Sequence, residues 1–140
     1  GGFLSVTNVG TVANQNLHAL ENIDYVIVTH PDFVSVANKL QTFHTDKSGY
    51  KVFVTTPDLI YNEFSSGAKD IAAIRDFMKM LYDNANNNGG IAPRYLLLLG
   101  DGSYDNKNRL DNNKIENEIY RCDMILVVPW RMPVHIENAW

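Results

Sequence analysis

The sequence has 140 residues, of which 45% are hydrophobic and 20% are charged, as expected for one globular domain with a buried core. This composition excludes a disordered tail. A formal net charge of −4, with only 12 Lys and Arg residues, argues against a nucleic-acid surface, which requires clustered positive charge.

The chain begins with an extension, residues 1–22, whose Val and Thr residues predict an outer strand or a hairpin. The first clear strand is predicted at 23–29, where a nearly continuous apolar and β-branched run is typical of a strand covered on both faces. A helix follows, because apolar residues recur at helical spacing after Pro31 or Asp32. Gly49 is its predicted end, acting as a left-handed cap.

A second strand is predicted at 51–56, where the sequence is again rich in Val and Thr. Residues 58–66 are interpreted as a loop or a short helical turn. A second helix is predicted from Ala68 or Lys69 to about Tyr82, because its apolar residues form one helical stripe.

An asparagine-rich segment at 84–90 is predicted to break this helix, and a third buried strand is predicted at 95–99. Alternating strands and helices over 23–105 predict a parallel sheet with helices on its faces. Residues 106–140 form an irregular tail in which 124–128 predict one added strand. The predicted fold class is α/β, a three-layer parallel-sheet subdomain of the flavodoxin-like kind.

Acidic residues follow each predicted strand, at the edge of a parallel sheet where ligands bind. The predicted strand-end cleft consists of His30, Asp32, Asp58, Asp101 and Asp105. Asp101 and Asp105 carry the oxygen ligands that a hard cation such as Ca²⁺ prefers. A structural interpretation is also open, in which Asp32 and Asp58 lead into helices and Asp101 closes a tight turn.

Other kinds of chemistry have weaker support in the sequence. The Gly-x-Gly at 100–102 resembles part of a dinucleotide loop, but it lacks a third glycine and follows the third strand. The single cysteine, Cys122, could pair with His30 or His135, yet its neighbours show no nucleophile signature and a lone thiol beside a strand is typical of a packed core. The histidines show no metal-ligand spacing. We therefore assign no catalytic residue, and Ca²⁺ is the one cofactor left open.

Three stretches of the sequence carry a family resemblance. They are the strand YVIVT at 25–29 with the helix that ends at Ser48-Gly49, the segments IYNEFSSG at 60–67 and DIAAIRDF at 70–77, and PRYLLLLGDGSYD at 93–105. Joined at this spacing, they resemble the gingipain-type cysteine peptidases, and among these most closely the sortase of the type IX secretion system.

The resemblance implies a caspase-like fold with a Cys-His dyad, in a secreted or outer-membrane-associated bacterial endopeptidase that processes exported proteins. In that family the histidine lies in a Gly-His-Gly context and the cysteine in an Ala-Cys context, each after a strand. Neither context occurs here, and residues 106–140 depart from the family pattern. The resemblance therefore implies the N-terminal part of a catalytic region, inactive alone, with the rest of the peptidase or a protein substrate as its partner.

Two other functions stay open from the sequence. The strand-end aspartates are also typical of a stand-alone flavodoxin-like module that binds a ligand or a metal ion. An uncovered sheet edge, or the tail with Trp130 and Trp140, would instead favour self-association into a homodimer.

Overall fold

A computed structural model describes residues 14–100 and 126–129, the latter range as backbone alone. Two 3-10 turns, Leu17–Ala19 and Pro31–Phe33, accompany the longer elements. The strands are β1 (Tyr25–Thr29), β2 (Val52–Thr55), β3 (Tyr95–Leu99) and β4 (Leu126–Pro129), and the helices are α1 (Val34–Ser48), α2 (Pro57–Phe64) and α3 (Ala72–Asn88).

The described strands form one sheet in the order β2-β1-β3-β4. β1 is parallel to both β2 and β3, with Tyr25 opposite Val52 on one side and Tyr95 on the other. β4 pairs with β3 in the antiparallel direction. The three parallel strands and their helices confirm the predicted α/β fold. All five residues of β1 are buried, which explains why the run that predicted this strand is apolar almost throughout.

Helices cover the sheet on both faces, and the alternation of side chains along β1 divides the core into two parts. On one face, Ile60 of α2 and Phe77 of α3 pack with Val26. On the other face, Ala37 of α1 packs with Ile27. Because neighbouring residues of a strand point to opposite faces, β1 contributes to both cores.

The structure decides between the two predictions for the segment after β2. Residues 58–66 were predicted as a loop or a short helical turn, and residues 58–64 belong to the helix α2. Pro57 occupies the first helical turn, where its missing N–H costs nothing, and Ile60 and Tyr61 are buried. A helix of eight residues spans little more than two turns, which is too short for its apolar period to be distinctive.

The second predicted helix corresponds to α3, which begins and ends later than the sequence predicted. Gly67 has a φ of 79°, which is incompatible with a helix there. Asp70 then caps the start of α3, because its Oδ1 accepts a hydrogen bond from the Ala72 amide at 2.9 Å. The asparagine-rich segment does not break α3, since Ala85 is buried on its core-facing side. The helix instead ends at Gly89, which has a φ of 67°.

The first helix ends at Gly49 as predicted, with a φ of 66° at that residue. Its start differs in detail, because Pro31 opens a 3-10 turn and the α-helix proper begins at Val34. The apolar residues at helical spacing do not all face the core. Ala37 is buried, whereas Phe43 is among the large apolar side chains that α1 exposes.

Both ends of the chain are described only in part. The described portion of the N-terminal extension contains one 3-10 turn, and the rest of the predicted outer strand or hairpin, residues 1–13, lies outside the described residues. The added strand predicted at 124–128 corresponds to β4, and the remainder of the 106–140 tail also lies outside them. No helix in the described ranges is long and apolar enough to cross a membrane.

Candidate functional site

The carboxyl ends of β1, β2 and β3 meet at one edge of the sheet, where the sequence predicts a cleft. Thr29 and Thr55 end the first two strands and are buried. Each threonine hydroxyl lies 3.4 Å from the carbonyl oxygen of the following residue, so each has a local acceptor. The His30 amide donates to the Leu99 carbonyl at 3.3 Å, which joins the ends of β1 and β3.

His30 stabilises the turn that follows β1. Its Nδ1 accepts a hydrogen bond from the Asp32 amide at 3.2 Å, and its ring lies edge-on to Phe33, with 6.1 Å between the centroids. A ring nitrogen that accepts a hydrogen bond carries no proton, so the neutral ring carries its proton on Nε2. In this arrangement neither nitrogen is free to act as a base: Nδ1 is engaged and Nε2 is protonated.

The strand-end carboxylates that the structure describes lie at the starts of helical segments. Asp32 is exposed, with its Oδ2 3.5 Å from His30 Nδ1. Asp58 is exposed in the first turn of α2, where a negative charge interacts favourably with the helix dipole. The structure thus brings His30 and Asp32 together, and no hydrogen bond or ion pair between described residues joins Asp58 to them.

The remaining candidates from the sequence fall outside the described residues. Asp101 and Asp105 are among them, as are Cys122 and His135. The described ranges contain no group of three or more His, Cys, Asp or Glu side chains that could hold a metal ion. The Ca²⁺ site that Asp101 and Asp105 would form therefore stays a prediction.

A carboxylate that the sequence analysis missed, Asp24, lies at the opposite edge of the sheet. The Asp24 side chain is only 5% exposed. Its Oδ2 accepts from the Lys51 amide at 2.9 Å, and its Oδ1 accepts from Arg94 Nε at 3.1 Å and from the terminal guanidinium nitrogen. The Asp24 carbonyl also accepts from the amides of Arg94 and Tyr95, at 2.8 and 3.2 Å. One residue thus bonds to the starts of both neighbouring strands.

Aromatic rings surround the ion pair at this edge. The guanidinium carbon of Arg94 lies 4.7 Å from the centroid of the Tyr50 ring, which is 5.6 Å from that of Tyr95. The hydrogen bond with Asp24 raises the pKa of Arg94 above its ordinary value. The hydrogen bond with Tyr95 raises the pKa of the Tyr50 hydroxyl. Both shifts favour the protonated forms, which are the ordinary forms of Arg and Tyr at neutral pH.

A signal for the Asp24 cluster does exist in the sequence. Asp24 interrupts an apolar run and directly precedes β1, while Lys51 and Arg94 directly precede β2 and β3. The register places Tyr25 beside Val52 and Tyr95, so the three preceding residues lie in one row across the sheet. An acidic residue between two basic residues in such a row predicts an ion pair. That prediction requires the register of the strands, which the sequence alone does not give.

Two comparisons with known proteins identify relatives of this chain. The model of peptidase family C25 matches residues 18–134. The crystal structure of dimeric latent PorU from Porphyromonas gingivalis is similar, with a TM-score of 0.64 and 39% sequence identity. That similarity covers 69% of this chain but only 9% of the PorU chain, so this chain spans a small part of that protein. A search of curated proteins finds no significant match.

Proposed function

This chain belongs to peptidase family C25, and we propose on that basis that it is the N-terminal α/β part of the catalytic region of a gingipain-like cysteine endopeptidase. The observation that carries the proposal is the family match over residues 18–134. The fold supports it, because the described parallel sheet with its helices matches PorU at 39% identity. PorU is a type IX secretion sortase. We therefore propose the processing of exported proteins as the role of the parent enzyme and secretion or the bacterial cell envelope as its location.

We also propose that the chain has no peptidase activity by itself. A cysteine peptidase needs a thiolate, a base and oxyanion donors held together. The family's Gly-His-Gly and Ala-Cys contexts do not occur in the sequence. The engagement of His30 Nδ1 as a cap supports the same conclusion for the one histidine at the described strand ends. The chain then supplies a scaffold and one rim of a cleft, and its partners are the rest of the peptidase and a protein substrate.

The first test measures hydrolysis of an unfolded protein substrate by the chain, with and without a thiol-alkylating reagent. We expect no hydrolysis that alkylation or Cys122→Ser removes. If cleavage depends on Cys122, the chain is a complete catalyst and the proposal of inactivity is wrong. In that event, His30→Gln and His135→Gln identify the base. His44→Gln is the matched control, because it changes a histidine in the second half of α1 whose ring contacts Tyr25 at the start of β1.

A second candidate function is self-association, which two observations favour. The related PorU structure is a dimer. In the described sheet, β2 is a terminal strand. The Lys51 carbonyl faces β1, because it accepts from the amides of Asp24 and Tyr25. Backbone groups alternate along a strand, so the carbonyl of the next residue, Val52, faces the outer edge. There it accepts a hydrogen bond from Gln41 Nε2 at 2.8 Å. By the same alternation, the backbone N–H and C=O of Val54 face outward. They offer a donor and an acceptor to which a strand of a second copy could bind.

Sedimentation across a concentration series tests this candidate. We expect a dimer that Val54→Pro weakens, because proline removes an outward-facing donor without changing the hydrogen bonds between β2 and β1. Val36→Lys, on the exposed side of α1, is the control and should leave a dimer formed through the β2 edge unchanged. A monomer at the highest concentration, or a dimer that only Val36→Lys weakens, contradicts pairing through this edge.

The alternative of a stand-alone binding module is separable from both proposals. Titration of the chain with Ca²⁺, Mg²⁺ and FMN, followed by thermal unfolding, should give no stabilisation by FMN if the chain is part of a peptidase. A shift with Ca²⁺ that Asp101→Asn or Asp105→Asn abolishes would instead establish the predicted cation site.

A further inference from the structure

Residues 15–18, here called the clasp, cross the second half of α2 and converge on one carboxylate. The Leu17 amide donates to both oxygens of Glu63, at 2.9 and 3.0 Å. His18 Nδ1 lies 2.7 Å from Glu63 Oε2 and can only donate to it, because an ionised carboxylate has no proton to give. Glu63 thus receives hydrogen bonds from two successive residues of the clasp.

Apolar contacts accompany these hydrogen bonds. Leu17 is buried in the same core cluster as Ile60 of α2. The His18 ring stacks on Phe64, with 4.6 Å between centroids and 10° between planes. Gln15 Nε2 donates to the Leu59 carbonyl at 2.5 Å. The clasp is therefore bound to α2 by its side chains and its backbone together.

The position of Glu63 indicates that the clasp, and not the helix, stabilises its charge. Glu63 lies in the last turn of α2, where the helix dipole opposes a negative charge. Its side chain is only 16% exposed, so little water is available to solvate it. Partial burial raises the pKa of Glu63, but the hydrogen bonds from Leu17, His18 and Gln15 outweigh burial and hold that pKa below its ordinary value.

The charged groups of the neighbouring helix α3 pair with one another. On α3, the helix that packs against α2, Lys79 pairs with Asp83 and Arg75 pairs with Asp76. The contact from α3 to the clasp is neutral, since Asn84 Nδ2 donates to the His18 carbonyl at 3.4 Å. Among the described residues, His18 is the one titratable neighbour that acts on the charge of Glu63.

We propose that residues 15–18 and Glu63 form an acid-released clasp that holds α2 in place. At neutral pH the ionised carboxylate accepts from Leu17 and His18 and the clasp is docked. Protonation of Glu63 removes its charge and turns one of its two acceptor oxygens into a donor that faces these donors. The clasp then loses hydrogen bonds and detaches, while the strand hydrogen bonds, which do not involve Glu63, remain.

The pH range of release follows from the direction of the shift. Because the folded pKa of Glu63 is lowered, the stabilisation is fully present above the unfolded value of about 4.5 and is lost as the pH falls through the folded value. α2 begins at Pro57, just after β2 ends at Thr55. Release of the clasp would therefore loosen the helix that borders the edge where ligands of a parallel sheet bind.

Amide hydrogen exchange on the whole chain tests the clasp. We expect the protection factor of the Leu17 amide to fall about tenfold or more as the pH falls from 6 to 3, while the β1 amides keep their protection. In Glu63→Gln, Leu17 should be weakly protected already at pH 7 and insensitive to pH. Glu21→Gln, an exposed carboxylate in the same N-terminal segment that does not contact Glu63, is the matched control and should behave as the unmodified chain.

A milder variant keeps the test decisive if Glu63→Gln fails to fold. His18→Asn removes the stacked ring and its hydrogen bond, so it should raise the pKa of Glu63 and move the midpoint of release to higher pH. The proposal is overturned if that midpoint does not move. It is equally overturned if Leu17 and β1 lose protection together, because the acid transition is then global unfolding.

Discussion

Replacing Asp24 by Asn tests whether one carboxylate holds the starts of the parallel strands together. The substitution preserves the size and shape of the side chain and removes the charge that pairs with Arg94. An amide has a single oxygen, so it can accept from the Lys51 amide or from the guanidinium, but not from both as the carboxylate does. The amide NH₂ group must then face a donor.

The expected cost is about 2–3 kcal/mol of unfolding free energy. A hydrogen bond to a charged group contributes about 1.5–3 kcal/mol, and one side of the carboxylate loses such a bond. Arg94 is 53% exposed, so water screens its charge and the ion pair adds little beyond the hydrogen bonds. Because a domain is stable by only about 5–15 kcal/mol, this loss is readily measured.

Urea unfolding followed by circular dichroism gives the free energies. Asp24→Asn, Arg94→Met and the double variant form a cycle, in which we expect the two substitutions to be coupled, so that the double variant loses less stability than the sum of the single variants. Asp83→Asn is the matched control, because Asp83 pairs with Lys79 on the exposed surface of α3. That exposed pair should contribute less than about 0.5 kcal/mol.

The reasoning fails if Asp24→Asn costs no more than Asp83→Asn. In that case the backbone hydrogen bonds that Asp24 donates to the Lys51 carbonyl and accepts from the Arg94 amide would be sufficient to align the strand starts. A large cost for Asp24→Asn without coupling to Arg94 would instead assign the effect to the Lys51 amide alone.

Three further substitutions test other parts of the fold by thermal or urea unfolding. Phe77→Ala should cost about 3–5 kcal/mol, because Phe77 is fully buried between sheet and helix, and a cost below about 1 kcal/mol would mean that the two layers are not packed as described. Gly49→Ala should cost about 1 kcal/mol through its φ of 66° alone, since no atom lies within 4 Å of the added Cβ, and a neutral result would contradict the left-handed cap. His30→Ala should lower the unfolding free energy by about 1 kcal/mol, because it removes the acceptor for the Asp32 amide. His30→Asn, which again offers an acceptor, should restore most of that loss, and equal losses in both variants would contradict the role of His30 as a cap.

Buried strands could be predicted from the sequence because burial on both faces leaves a continuous apolar run. β3 was predicted with its observed bounds, Tyr95–Leu99, for this reason. α2 was predicted only as a loop or a short helical turn, because two helical turns carry too few apolar residues to define a period. The end of α3 was misplaced because polar asparagines face solvent there while the buried Ala85 adds only one weak apolar signal.

The candidate site was predictable only as far as local sequence determines it. The position of His30 at the end of β1 follows from the strand pattern, but its role as a cap depends on the Asp32 amide two residues away. Asp24 forms hydrogen bonds with Lys51 and Arg94, which lie 27 and 70 positions further along the chain. A single sequence contains no measure of such distances until the sheet order is known.

The place of β1 in the sheet has a consequence for biosynthesis. β1 is the first of the described strands to be translated, yet it lies between β2 and β3. Tyr25 pairs with Tyr95, so at about 5–20 residues per second the ribosome needs roughly 4–14 s to extend the chain from Tyr25 to Tyr95. For that time the edge of β1 that pairs with β3 has no partner, so a strand that is buried throughout in the folded protein exposes backbone donors and acceptors until β3 has been made.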